Sequence, residues 1–478
     1  MVQSIDNHLT FTLNGKTVRP QEISPTLTLL EFLRQQGHIG TKEGCGDGDC
    51  GACTVAMIAR GSDGQPHYQA VNSCLIPMGA VAGREIITVE GVSNGSLHPV
   101  QSAMVETGGS QCGYCTPGFV MSLFAAYYNR KLDDGCVEGN LCRCTGYLAI
   151  RRAAQQLIEA ESEPDHFSEA LDQAALSLSE FSYRGNQQQF YRPTQLAEVF
   201  ELLQQYPDAT FVAGATDLGL EMSHHRQTYP VLISLEAVTE LHLLEVMPQF
   251  VEIGAAVPLS HIEENLRGIF PSLDEMLFWF AARQVRNRAT MGGNIGTASP
   301  IGDLPPVLLA LDAEVQLVSG LGSRWLPLVN FFKGYRQTDL QPGELIASVK
   351  ISRSLTPTAT RRLSQSYKIG KRGTDDISIV AAAFTIDLDV NHQIVHARLA
   401  YGGVAATPAR AMGIEERLVG QPWTLETVRQ LKPALQEAFT PLTDLRGSAS
   451  YRKRLVANLF EKFFVEMSDT TSIQEMRG

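Results

Sequence analysis

Eight of the nine cysteines in this 478-residue chain fall into two compact sets within the first 150 positions. Cys45, Cys50 and Cys53 lie in Glu43-Gly-Cys-Gly-Asp-Gly-Asp-Cys-Gly-Ala-Cys53, and Cys74 follows. Cys112 and Cys115, in Gln111-Cys-Gly-Tyr-Cys-Thr-Pro117, pair with Cys142 and Cys144, in Gly139-Asn-Leu-Cys-Arg-Cys-Thr-Gly146. Four thiolates per set are what a 2Fe–2S cluster requires. The backbone must therefore gather sulfur at two places, and one-electron carriers at both would make the chain a conduit.

The first spacing, C-x4-C-x2-C, is the plant-type cluster run, and its glycines allow backbone N–H groups to approach sulfur. Zinc also takes four thiolates, but structural zinc commonly uses two C-x2-C knuckles. The second set, C-x2-C with a distant C-x-C, fits zinc as well as iron when taken alone. Cys136 is left over. It reads as a small buried apolar thiol, with an alternative ligand as the competing role.

The length exceeds what one hydrophobic core serves, so two to four domains are expected. A formal charge of −12 argues against nucleic-acid or anionic-membrane partners, which want a basic face. No apolar run reaches membrane-span length, and Met1-Val-Gln-Ser-Ile-Asp6 lacks the layout of a secretory signal. Thiols at ligand spacing then point to a reducing, cytoplasmic setting.

Leu9–Leu13 alternates in the strand manner, Asn14-Gly15 suits a type I′ turn, and Lys16–Arg19 returns as a second strand. Thr28–Gln36 has helical periodicity and stops at Gly37. Thr54–Ile58 and Glu85–Val89 read as further strands. From His98 onward the pattern is helical: Pro99–Glu106, a helix opened by Pro117, and Leu148–Ile158. The second cysteine pairs thus sit at helix N-termini, which favour anionic groups. Residues 161–185 are polar and acidic and read as a linker.

The second half reads as α+β. Thr210–Gly219 is a strand running into a glycine turn, and Thr290–Ile295 is a second such turn. As a pair, Val212–Asp217 and Gly292–Asn294 would supply N–H nests for a pyrophosphate, although each alone is simply a turn. Trp279-Phe280 has a core reading beside that of a cofactor stack, and Asp303 the reading of a turn cap. Lys368, Arg372, Asp375 and Asp376 form a charged loop whose plain reading is solvated surface. Ala381–Leu388 and Ile394–Tyr401 suit a hairpin, and Tyr451–Glu466 a terminal helix.

Together these motifs resemble the molybdenum hydroxylase family, and within it the iron–sulfur and flavin subunits of bacterial xanthine dehydrogenases. The resemblance is carried by Gly44–Val55, Gln111–Met121, Gly139–Tyr147, Gly292–Ile295 followed by Thr297–Pro306, Phe331–Arg336 and Asp375–Ile377, in order. It implies an α+β multidomain fold. A β-grasp ferredoxin-like domain would span 1–92, a helical 2Fe–2S domain 93–162, a linker 163–185, an α+β FAD-binding domain 186–360 and an α+β C-terminal flavoprotein domain 361–478.

The resemblance also implies non-covalent FAD. Its phosphates would lie on Thr210, Phe211, Val212, Ala213, Gly214, Ala215, Thr216 and Asp217, and on Thr290, Met291, Gly292, Gly293 and Asn294. Phe280 would stack near the isoalloxazine, with Asp303, Ile346 and Lys368 completing the pocket. Arg372 and Asp375 would lie close to the flavin and Tyr335 beside an NAD+ site, with no side chain certain to act as acid or base. Two departures from the family pattern stand out: a short interval from Cys115 to Cys142, and Leu148-Ala149 in place of Arg-Pro.

With Gly478 as the last residue, a molybdopterin domain is expected on a separate large subunit, in a heterotetramer of two small and two large chains. Electrons from that subunit's hydroxylation of hypoxanthine or xanthine would end on NAD+. The rivals are the equivalent subunit of an aldehyde, nicotinate or aromatic-thioester hydroxylase, use of O2 in place of NAD+, and a non-enzymatic carrier module.

Overall fold

Asn14 and Gly15 both take positive φ, 52° and 73°, and their turn pairs strand Phe11–Leu13 with Lys16–Val18 in the expected hairpin. The computed structural model describes residues 8–93, 95–159 and 164–475, with side chains through Ser468. The opening residues and the expected 162/163 boundary lie outside that range. By backbone contacts the chain divides into two units. The first comprises Met1–Glu240, Pro258–His261 and Ala281–Thr290; the second comprises Leu241–Val257, Ile262–Phe280 and Met291–Gly478.

In the first unit the hairpin joins strands Glu85–Ile87, Thr54–Arg60 and Pro66–Asn72 in one mixed five-stranded sheet. Helix Leu29–Gln35 lays Leu29, Phe32 and Leu33 onto it; Thr28 caps its start, and Gly37 at φ 88° marks its end. Strand Pro66–Asn72 is not evident from the sequence, because its opening proline and polar residues mask the alternation. It pairs along its whole length with Thr54–Arg60.

Three helices follow, Pro99–Glu106, Thr116–Tyr128 and Leu148–Glu159, as their periodicity predicted. The segment read as a linker is not featureless. It contains helix His166–Asp172, capped by Asp165, and strand Phe181–Gly185. One apolar residue explains the helix: Phe167 is buried against Tyr68, Phe124 and Tyr128, and a single aromatic does not show in an acidic stretch. A four-stranded sheet completes this unit, with Thr210–Val212 and Gln188–Arg192 each parallel to Val231–Ser234.

The second unit carries an antiparallel five-stranded sheet whose middle strand is Leu345–Ser352, and a four-stranded sheet built on the hairpin Val380–Leu388 and Ile394–Gly402. Helix Ala449–Glu475 packs on the second sheet, where Phe384 meets the rings of Tyr401, Phe460 and Phe463. Truncating Phe384 to alanine would cost about 3–5 kcal/mol. Among the described residues no helix is long and apolar enough to cross a membrane.

Candidate metal centres and flavin loops

The sulfurs of each cysteine set meet in twos. Cys45 and Cys50 exchange backbone N–H contacts to each other's sulfur at 3.3 Å, and Asp47 N–H reaches Cys45 Sγ at 3.5 Å. Cys53 Sγ and Cys74 Sγ lie 3.4 Å apart, both buried. In the second set Cys112 is paired with Cys144 and Cys115 with Cys142. A two-iron cluster uses two thiolates per iron, so this pairing is the donor arrangement it needs. Among the described residues no three Cys, His, Asp or Glu side chains gather as a single-ion site would require.

The first loop also has the cradle a cluster needs: a Cβ on Gly44 would lie 2.6 Å from Cys50 Sγ. Cys45 beside it holds the Cys50 thiol down to about 6, against burial. In the second set the Tyr114 backbone N–H, then Cys144, lowers Cys112. Burial pushes Cys142 up, but the Thr145 hydroxyl and N–H, at 3.1 and 3.4 Å from its sulfur, outweigh it. Each lowered thiol has a raised partner in Cys45, Cys74, Cys115 or Cys144, so it is the pairing of the sulfurs and the glycine cradle that fit iron–sulfur ligation. Cys115 caps helix Thr116–Tyr128, as read from sequence, while Cys144 stands four residues before helix Leu148–Glu159. Cys136 is buried in the apolar core of these helices, and burial pushes its thiol up to about 12.

The two sets are joined by a short seam. Leu141 N–H donates to Cys50 O at 3.0 Å, and Asn140 Nδ2 donates to Gly51 O at 3.0 Å. Gly51 has to be glycine here, since a Cβ would sit 2.1 Å from Gly139 O.

In the first unit, Thr210, Phe211 and Val212 form a strand, and Ala213, Gly214, Ala215, Thr216 and Asp217 lead into helix Leu218–His225. Ala215 is left-handed at φ 66°, and a Cβ on Gly214 would strike Arg288 O at 1.6 Å, so backbone meets backbone there. Thr290, also in this unit, is buried.

In the second unit, Met291, Gly292, Gly293 and Asn294 are not the expected turn: they open the short helix Met291–Gly296. Gly292 permits it, since its Cβ position lies 2.5 Å from the Ala255 side chain and its N–H donates to Ala255 O. Asn294 Oδ1 is buried without a hydrogen-bond partner, an orphan acceptor that fits a bound donor.

Lys368 is not on the surface. Its side chain, 3% exposed, donates to Asp303 Oδ2 at 2.9 Å, so Asp303 anchors a buried ion pair and makes no side-chain cap. Phe280 ends helix Pro271–Trp279, half-buried, and Ile346 is buried on strand Leu345–Ser352. Arg372 is exposed and pairs with Asp376 at 2.9 Å; Asp375 is left-handed at φ 63°, and Tyr335 is 63% exposed.

Comparison with known proteins finds four family matches in succession along the chain. Residues 11–79 match the 2Fe-2S iron-sulfur cluster binding domain, 88–155 the 2Fe-2S binding domain, 182–353 the FAD binding domain in molybdopterin dehydrogenase, and 365–467 the CO dehydrogenase flavoprotein C-terminal domain. Xanthine dehydrogenase 1 of Arabidopsis thaliana is 34% identical over 92% of this chain and 38% of its own length. Xanthine dehydrogenase of Emericella nidulans is 32% identical over 97% of this chain and 39% of its own. The chain thus spans about two fifths of these curated relatives.

Among solved structures, carbon monoxide dehydrogenase from Hydrogenophaga pseudoflava is 27% identical, at a TM-score of 0.53, over 57% of this chain and 94% of the other. Quinoline 2-oxidoreductase from Pseudomonas putida 86 is 26% identical, at 0.52, with the same coverage. The chain belongs to the molybdenum hydroxylase family, of which it carries the two 2Fe–2S domains and the flavin domains as an electron-transfer module.

Proposed function

We propose that the chain is the electron-transfer and NAD+-reducing part of a xanthine dehydrogenase. It would draw on a molybdopterin-binding large subunit that oxidises hypoxanthine and xanthine to urate, in a cytoplasmic heterotetramer of two small and two large chains. The observation that carries this reading is the match, over 92% and 97% of the chain, to curated relatives named xanthine dehydrogenase. When bound, the clusters would carry electrons singly, and the flavin, taking up two of them with a proton from solvent, would supply the hydride that NAD+ accepts.

The chain's own residues do the holding. Cys45, Cys50, Cys53 and Cys74 would ligate one cluster, and Cys112, Cys115, Cys142 and Cys144 the other. In the first unit, the loop Thr210–Asp217 with Thr290 would bind FAD phosphate without a covalent bond. In the second unit, Met291–Asn294, Phe280, Asp303, Ile346 and Lys368 would contact FAD, with the Lys368 side chain held in place on Asp303. Tyr335, Arg372 and Asp375 would border the NAD+ approach. None of these side chains is asked to move a proton.

Co-purification with the large subunit and assay on hypoxanthine tests the substrate. Oxidation of aldehydes but not purines would end the xanthine reading. The purified chain should show a flavin spectrum and NADH–dye reductase activity, and their absence would leave a carrier module. The second reading, the equivalent part of another hydroxylase, is favoured by the similarity to carbon monoxide dehydrogenase and quinoline 2-oxidoreductase.

A further inference from the structure

Helix Arg283–Arg286 belongs to the sequence segment matched to the FAD-binding family, yet within the first unit it is built into the seam between the cysteine sets. Three residues, Gln284, Arg286 and the C-cap Asn287, hold it there. Arg286 pairs with Glu138, and Asn287 Nδ2 donates to Ala70 O at 2.9 Å. Gln284, 1% exposed, donates from Nε2 to Asn140 Oδ1 and to Ser122 Oγ, each at 3.1 Å.

The direction of this network is fixed from one end. Gly51 O can only accept, so the atom of Asn140 facing it is Nδ2, and Oδ1 faces the other way. Oδ1 then takes the Ser122 hydroxyl at 2.6 Å and the Gln284 amide. Asn140, 2% exposed, therefore carries three of these bonds and has one arrangement open to it. Its neighbour Leu141 makes the N–H contact to Cys50 O and is followed directly by Cys142. Packing adds a stop: a Cβ on Gly139 would lie 2.1 Å from Gln284 Oε1 and 2.6 Å from Ala282 Cβ, so the helix rests on bare backbone.

We propose that Gln284 is a positioning residue for transfer between the two metal centres: through Asn140 it keeps the Leu141 N–H on the Cys50 carbonyl and so sets the separation of the two cysteine sets. Electron tunnelling and magnetic coupling both fall steeply with separation, so a seam that opens weakens both before either set loses its ligands. The inference rests on both sets holding clusters, which iron analysis checks on its own.

The test uses the full-length, iron-loaded protein, reduced anaerobically with dithionite and examined by low-temperature electron paramagnetic resonance. Wild-type protein should show splitting from coupling between the two reduced centres. Gln284→Met keeps the length of the side chain but removes its donor. It should retain about four irons per chain while the splitting drops at least twofold and one-electron transfer between the centres slows at least fivefold. An unchanged splitting at full iron overturns the proposal. Should Gln284→Met lose iron, Gln284→Asn decides, because it keeps an amide one methylene short. A reduced splitting at full iron supports the role, and a wild-type splitting overturns it. Wild-type protein lacking iron would overturn the cluster assignment beneath it, a separate failure.

Discussion

The Lys368 ammonium donates to the Asp303 carboxylate at 2.9 Å and to the Trp279 carbonyl at 3.0 Å, with both charged side chains nearly out of solvent. Ser378 Oγ donates to the other carboxylate oxygen at 2.5 Å, so Asp303 is fully engaged. Removing one partner of such a pair strands the other charge. Lys368→Met should cost about 3–5 kcal/mol in urea unfolding. A loss below about 1 kcal/mol, the worth of an exposed pair, would show that solvent reaches the site. If the proposed FAD role is right, flavin content falls with it.

Glu236 is the second buried charge whose removal has a calculable consequence. Arg84 and Arg288 both pair with it, Arg288 Nη2 at 3.1 Å, with the three side chains between 6% and 17% exposed. Burial pushes Glu236 up, but the Arg288 and Arg84 guanidiniums win and hold it far below its ordinary 4.5. A depressed carboxylate stabilises the fold above its unfolded value, and that contribution is lost as pH falls toward the folded value. Glu236→Gln should therefore cost about 3–5 kcal/mol at pH 7. The gap to wild type should stay constant down to pH 4.5 and narrow only below it. A gap that closes between pH 7 and 5 in urea titrations would contradict the assignment.

What was legible in the sequence follows from the range of the interactions involved. The Asn14-Gly15 hairpin, the helix ending at Gly37 and the helices around the second cysteine set depend on neighbours a few residues apart, and all stand where expected. Helix His166–Asp172 depends on Phe167 meeting Tyr68, 99 residues away, and its acidic composition reads as a linker. Lys368 reads as surface because its partner Asp303 is 65 residues distant. The cysteine sets were visible, but the seam between them was not: Asn140 and Gln284, 144 positions apart, are ordinary amides until the fold brings them together. A signal existed in Gly51, Gly118 and Gly139, each of which faces another backbone or a buried amide too closely for any side chain.

His98 should give the protein a pH dependence in a different window. Val100 N–H donates to its Nδ1 at 3.2 Å, so the ring proton sits on Nε2, which faces the Tyr128 hydroxyl at 2.8 Å. Tyr128 in turn donates to Asp165 at 2.5 Å. A second ring proton would point at a backbone N–H, and burial already holds the imidazole down to about 4 from 6.5, Asp165 opposing and losing to it. Between those values the unfolded chain binds the proton and the folded one does not, so stability falls as pH drops. The gap of some 2.5 units, at about 1.36 kcal/mol each, is worth about 3 kcal/mol. His98→Gln should flatten the slope between pH 7 and 4.5; an equal slope in both proteins would reject this origin.

The two cysteine sets should surrender metal in a fixed order. Cys53 and Cys74 are 2% and 0% exposed, whereas Cys112 and Cys144 stand open to solvent. Leu141, Tyr147 and Leu148 around the second pair are also exposed, at 41%, 37% and 55%, so only a covering partner would protect it. Access governs how fast a chelator or oxidant reaches thiolate-bound iron. In the iron-loaded chain treated with ferricyanide and a chelator, about two of four irons should leave in a fast phase. The resonance signal lost with them should be the one that Cys112→Ser removes. The first set should outlast it at least tenfold. Release of all iron in one phase, or loss first of the signal tied to Cys74→Ser, would mean that burial does not govern access.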